Sequence, residues 1–314
     1  MERYICLNYE AFSAKVFTCG GNMDLTLFVQ LLINGLLIGG IYALVSMGLT
    51  LIWGVMGVVN FAQGDFLMIG MYVAWLMFAL FGFVPYVSVF ICAGALFVFG
   101  LITQKFLISR VVELPMAARI YTTFGLSLFL TNLVLMVAGA QMRSIPSPGW
   151  VIRLAGLFVD VPRFISFLCA MFSSIGLYFL LTKTKMGKAL RAVSQDRVVA
   201  SVMGIDVRRM YLIAFAIGAA YAGVAGALLM AYFYVEPTVG TSFMLSAFVA
   251  VVLGGMGNFI GAFFGGLIIG VAETIGGFFI GPGLKQAVSF VIFIIVLLVL
   301  PRGLFGKELG KERE

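Results

Sequence analysis

Uncharged stretches longer than any soluble core element needs dominate this chain: residues 25–64, 66–104, 120–142, 164–182, 210–235, 237–272 and 286–301 contain no Asp, Glu, Lys or Arg. A helix rises about 1.5 Å per residue and needs roughly 20 residues to cross a hydrocarbon core of about 30 Å. The longest stretches exceed that length and must turn back within themselves. With a mean hydropathy of +1.13 and 62% hydrophobic residues, the chain falls in one class, the polytopic membrane proteins. The alternation of apolar and polar residues that marks an outer-membrane barrel is absent, so the spans satisfy their backbone hydrogen bonds as helices.

The expected fold is all-α, with eight to ten transmembrane or re-entrant helices in two pseudo-repeated halves. Spans are expected near 25–47, 66–82, 86–104, 120–139, 164–182, 210–231, 258–279 and 284–300. Two shorter glycine-containing pieces, 48–64 and 243–256, read as short crossings or as re-entrant half-helices. The unit 25–301 is flanked by a tail at 1–24 and a charged tail at 302–314. Because "MDLTLFVQLLING" begins abruptly at Met23, residues 1–24 read either as the product of an upstream start codon or as a short amphipathic tail. They lack the continuous apolar core of a signal peptide. The connections 105–119, 140–163 and 183–209 leave no room for a soluble catalytic domain.

Orientation follows from Lys and Arg near the helix ends. Placing 105–119, 183–209 and 302–314 in the cytoplasm puts fourteen basic residues there, against four in 140–163, 232–242 and 280–285. The net charge of +7 is then mostly a topological signal, and no nucleic-acid partner is expected. The inventory also excludes chemistry. There is no His, and Cys6, Cys19, Cys92 and Cys169 show no paired spacing, so neither a metal site nor His-based acid–base catalysis is expected. No phosphate-binding glycine loop occurs; Gly303-Leu-Phe-Gly306-Lys307 lacks its spacing. No catalytic residue and no cofactor are assigned.

Two stretches share a pattern: "GVMGVVNFAQGDFLMIGMYVA" at 54–74 and "GGMGNFIGAFFGGLIIGVAET" at 254–274. Each has a Gly-x-Met-Gly turn, an Asn-Phe pair and then small residues along a helix. Breaks at matching places in two halves point to a transporter's pathway, because unwound backbone needs partners that lipid does not offer. Single glycines such as Gly261, Gly265, Gly266 and Gly270 fit close helix packing equally well. The pathway candidates are Asn60, Phe61, Gln63, Asp65, Gly255, Met256, Gly257, Asn258 and Glu273. Asp65 and Glu273 are carboxylates at or near membrane depth, where an ionisable group is a functional candidate by default. Their alternative reading places Asp65 at the cytoplasmic end of its helix and Glu273 at the outer interface. Asn34 and Asn132, like Asn60, Gln63 and Asn258, serve either a polar solute or a neighbouring helix.

Segment 183–209 gathers seven Lys or Arg and two Asp. Ala189, Ala192, Val193, Val199, Ala200 and Met203 recur at helical spacing, and Gly204 stands where a left-handed cap ends a helix. The pattern describes a short amphipathic cytoplasmic helix, read as a docking surface or as one held on anionic lipid.

Three blocks carry a resemblance: 31–74, "GKALRAVSQDRVVASVMGIDVRRMYLIAFAIGAAYAGVAGALLM" at 187–230, and "AVVLGGMGNFIGAFFGGLIIGVAETIGG" at 250–277. Together they resemble the permease subunits of branched-chain amino-acid ABC importers, over about residues 24 to 306. Relatives in that superfamily carry urea, short amides or sugars. The resemblance implies a non-catalytic subunit of the cell (inner) membrane that pairs with a second, similar permease. Two cytoplasmic ATPases would drive it, and a periplasmic or tethered binding protein would deliver the amino acid. It also implies a docking motif of the form Glu-Ala-Ala, three residues, Gly. That motif falls on Val198, Val199, Ala200 and Gly204, where only Ala200 and Gly204 match, with Gln195, Asp196 and Arg197 just before it and Asp196 or Arg197 in place of the missing Glu. Residues 188–204 would act as a rigid lever, and Phe61, Met68, Met256 and Phe259 would offer an apolar wall to the amino acid. From other classes, an autonomous ion-coupled transporter or channel stays open, though no relay of buried acids and histidines supports it.

Overall fold

The computed structural model describes residues 25–146, 149–154, 156–300 and 303–305. The expectations for 1–24, and for the charged tail apart from 303–305, lie outside the described residues. Among them are eleven helices: α1 (Leu25–Met56), α2 (Gln63–Phe81), α3 (Pro85–Val111), α4 (Met116–Ala138), α5 (Val161–Lys183), α6 (Lys185–Gln195), α7 (Arg197–Val202), α8 (Val207–Leu229), α9 (Val239–Gly254), α10 (Phe259–Ile280) and α11 (Lys285–Val299). Seven of these are long and apolar enough to cross a membrane, and α9 and α11 are shorter apolar helices. The chain is a multi-pass all-α membrane protein.

Four boundaries differ from the sequence expectation. Residues 48–56 are not a separate piece: they continue α1 without interruption to Met56. Small residues at 39, 40, 43, 46 and 48 remain helical because neighbours pack directly on them. Span α3 runs past 104 to Val111 through a π turn at Gln104–Ile108, so part of the expected loop 105–119 is helix. The connection 140–163 holds an antiparallel hairpin, β1 (Val151–Leu154) with β2 (Leu157–Asp160). The amphipathic stretch is two helices rather than one lever: Asp196 is extended (φ −155°) and its Oδ1 accepts from the N–H groups of Val198 and Val199 at 2.8 and 3.0 Å. A carboxylate that caps a new helix ends the previous one at that point.

Small residues set the helix–helix approach, as expected where lipid supplies no hydrophobic drive between helices. The most extensive contact is the antiparallel pair α1–α10. There Gly35 lies against Val271, Gly39 against Leu267, Gly266 against Ala43 and Gly270 against Gly39. Gly70 and Gly226 bring α2 and α8 together, and Gly100 seats α3 on Ala216 and Ala219. Span α8 is the most enclosed of the long helices.

The N-terminal end of α1 is tied to the hairpin. The Gln30 side chain donates to Phe158 O at 2.7 Å and accepts from Phe158 N at 2.8 Å, copying a strand's backbone pairing. Helices α1 and α9 run in the same direction, with Tyr42 against Phe243 and the Ser46 hydroxyl donating to Ala247 O. The two repeated motifs therefore lie on the same side.

Candidate functional site

The paired motifs meet. Helix α1 ends at Met56 and α9 at Gly254, and the non-helical links 57–62 and 255–258 follow. Gly57 (φ +63°) and Gly257 (φ +87°) occupy matching motif positions with the same left-handed backbone, a conformation that a Cβ resists. Gly257 rests against Gly54, its Cβ position 3.8 Å from the Gly54 Cα. The two turns thus lie side by side.

The first link climbs back into the membrane. Gln63 donates through Nε2 to Gly218 O at 2.8 Å, and Gly218 is halfway along α8, so α2 starts near the bilayer centre. Neighbours satisfy the groups this unwinding frees, as membrane depth requires. Arg119 donates through a terminal guanidinium nitrogen to Gly57 O at 2.9 Å, Thr123 Oγ1 to Val59 O at 2.9 Å and Asn60 Nδ2 to Gln63 Oε1 at 3.1 Å. Two buried oxygens beside this link, Asn60 Oδ1 and Thr50 Oγ1, have no partner among the described residues. In the second link Asn258 Oδ1 accepts from Gly261 N at 3.1 Å and caps α10.

Both deep carboxylates lie inside the protein. Asp65 is 2% exposed and Glu273 3%, so neither side chain faces out of the fold. Asp65 sits in the first turn of α2, where the helix dipole favours negative charge, and its Oδ1 accepts from Thr131 at 2.8 Å. Glu273 is held more tightly. Its Oε2 accepts from Tyr42 at 2.6 Å, and its Oε1 from Ser246 and from Ser289 at 2.5 Å each. One carboxylate thereby joins α1, α9, α10 and α11, with hydroxyls rather than a cation as its partners. The two acids share no partner side chain.

Of the expected apolar wall, Met256 lines a small cleft with Leu49, Trp53, Val59, Phe248 and Val251. Phe61 packs between Phe124 and Phe248, at 6.4 and 6.1 Å between ring centroids. Phe259 is half-buried. Met68 is fully buried in the core. Gly255 is buried, and Gly257 and Asn258 are half-buried. Sequence reasoning missed Arg119, Thr123, Thr131, Tyr42, Ser246 and Ser289. Each lies on a different helix from the residue it serves, and the sequence carries no sign of the pairing.

In the basic segment α6 begins with Thr184, whose Oγ1 accepts from Gly187 N at 2.9 Å, and buries Gly187, Leu190 and Val193. Ala200 is buried and anchors α7, Gly204 turns left-handed as expected (φ +83°), and Gln195, Asp196 and Arg197 face water. Val198, Val199, Val202 and Met203 are 66%, 57%, 82% and 76% exposed. A run of apolar side chains thus stands exposed in a basic segment.

Residues 31–297 match the family model described as branched-chain amino acid transport system / permease component. The chain belongs to this permease family. The permease is 32% identical over 295 residues to the high-affinity branched-chain amino acid transport system permease protein BraD of Pseudomonas aeruginosa, covering 89% of this chain and 96% of that one. It is 32% identical over 295 residues to the corresponding LivH of Escherichia coli, with the same coverage. To the probable branched-chain amino acid transport permease protein LivH of Methanocaldococcus jannaschii it is 33% identical over 304 residues, covering 90% of this chain and 94% of that one. No solved structure matches the permease.

Proposed function

We propose that the permease is the membrane-spanning, non-catalytic subunit of an ATP-driven importer for branched-chain or related hydrophobic amino acids in the cell (inner) membrane. It forms half of the translocation path with a second, homologous permease. Two cytoplasmic ATPase subunits supply the energy, and a periplasmic or tethered binding protein delivers the substrate. The observation that carries this reading is the bare apolar surface of Val198, Val199, Val202 and Met203 in the segment where the family's docking motif falls. A self-contained transporter has no use for such a surface.

Motion enters where α6 and α7 dock. The buried face of α6 packs on α1 and α8, and Gly187 lies directly on the backbone of Leu180 and Leu181 at the end of α5. A push on the segment is passed to α1, which carries the first link at its inner end. Links 57–62 and 255–258 then change which face the path opens to. The amino acid's charged groups would be met by helix ends and unwound backbone, with Asn60 and Gln63 nearby, and its side chain by Phe61 and Met256.

Arg197→Glu combined with Gly204→Pro is expected to abolish co-purification of the ATPases while the protein still inserts, because proline's fixed φ near −65° excludes the left-handed turn at 204. Co-purification that survives both changes counts against the docking assignment. The permease alone in liposomes is expected to accumulate no amino acid; accumulation against a gradient would establish an autonomous transporter. Asp65→Asn retains an oxygen for Thr131 and removes the charge. Uptake is expected to fall at least about tenfold, or about 1.4 kcal/mol in the barrier, with inserted protein unchanged. Equal loss of both would make Asp65 a structural residue.

A further inference from the structure

After α11 the chain folds back onto the second link. Leu304 N donates to Leu253 O at 2.7 Å, and Asn258 Nδ2 donates to Phe305 O at 2.8 Å. The Phe305 ring stacks on Phe264 with centroids 6.1 Å apart and planes 27° apart. Gly303 has φ +75°, and a Cβ there would lie 2.5 Å from Gly255 N and 2.6 Å from Val252 O. Only glycine lets the backbone cross at this contact.

Leu253 carries one of the last four carbonyls of α9, which have no donor within the helix, and Leu304 supplies it. Asn258 works in both directions: its Oδ1 caps α10 through Gly261 N, while its Nδ2 holds Phe305. Residues 303–305 are thereby bonded to the end of α9 and to the start of α10, the two helices that the second link joins. Gly257 in that link rests against Gly54, so the fold-back stands one contact away from the end of α1.

We propose that Gly303–Phe305 is a strap that positions the second link, with Asn258 as the positioning residue that joins them. Movement of the chain's C-terminal end at the inner face therefore reaches the paired links by a route separate from α6 and α7. The coupling to transport rests on the importer reading above; the strap's hold on the link does not.

Asn258→Asp separates the two roles of this side chain. It keeps the oxygen that caps α10 and replaces the donor facing Phe305 O with a second acceptor. Gly303→Ala displaces the strap from the other side, and if that variant fails to fold, Asn258→Asp carries the test. In the full-length purified protein, both changes are expected to speed amide hydrogen exchange over 253–261 at least about tenfold and to leave 39–52 in α1 as in the parent. In cells with the partner subunits, uptake of a branched-chain amino acid is expected to fall at least about tenfold in each. The double variant should be no worse than the weaker single one, as for two changes to one element. Unchanged exchange over 253–261 in Asn258→Asp overturns the proposal, and so does unchanged uptake in the face of faster exchange. A parent chain that moves no branched-chain amino acid with its ATPases sinks the importer reading instead, and the exchange comparison still decides the strap.

Discussion

Gly266→Val is expected to destabilise the folded permease severely. The Cβ it introduces would fall inside the backbone of Ala43, in the seam between α1 and α10, the most extensive helix contact in the molecule. Overpacking usually costs about 1 to 3 kcal/mol because side chains give way. Here the obstacle is main chain, so the two helices must part and forfeit the dispersion contacts that hold them. We expect a loss at the top of that range or above, about 3 kcal/mol, with Gly266→Ala milder and of the same sign. The measurement is the monodisperse fraction in size-exclusion chromatography together with the thermal midpoint in detergent. Gly125→Val is the control: it lies on a spanning helix with nothing within 4 Å of its Cβ position. Equal damage at 125 and 266 would trace the effect to helix propensity and away from the seam.

Glu273→Ala is the second large effect. It strips the acceptor from three hydroxyl groups, those of Tyr42, Ser246 and Ser289, at a depth where water does not replace it. A buried donor left without a partner costs about 1 to 3 kcal/mol. Ser246 has a second acceptor in Ser242 O at 3.4 Å, so at least two donors are stranded and the expected loss is about 3 kcal/mol or more. Glu273→Gln keeps one acceptor oxygen and forces only part of the cluster to reorient, so it should be the milder change. Thermal unfolding of the three proteins should rank them parent, Gln, Ala. An alanine variant as stable as the parent would mean that α1, α9, α10 and α11 are held together without this carboxylate.

The uncharged stretches carried most of the architecture, because in lipid a chain that long without charge has few alternatives to helix. The two links were also visible, since Gly57 and Gly257 recur at matching motif positions and both adopt the left-handed backbone. Where the reading failed, the deciding force came from elsewhere in the fold. Gly48 looks like a place to end a helix, yet Gln63 and Gly218 pack on it, and α1 continues. The stretch around Asp196 reads as one helix, but the cap made by that residue divides α6 from α7. Asp65 and Glu273 were recognisable as unusual acids. That hydroxyls answer them, from residues as distant in sequence as Tyr42 and Ser289, was not, because local pattern records nothing of pairings between remote helices. The strap was hidden for the same reason: its glycine resembled a degenerate phosphate loop until Gly255 was found beneath it.

Helix α1 is 32 residues long, about 48 Å at 1.5 Å per residue, well beyond the thickness of the hydrocarbon layer. Near its N-terminal end it is fastened to the hairpin by Gln30, and its foot touches the second link at Gly257. An unbroken rod of that length works as a see-saw: a tilt of about 5° about its middle displaces each end by about 2 Å, in opposite directions. A load on the hairpin and a load on the second link would therefore act on the same beam, and each would sense the other without any signal threading the core.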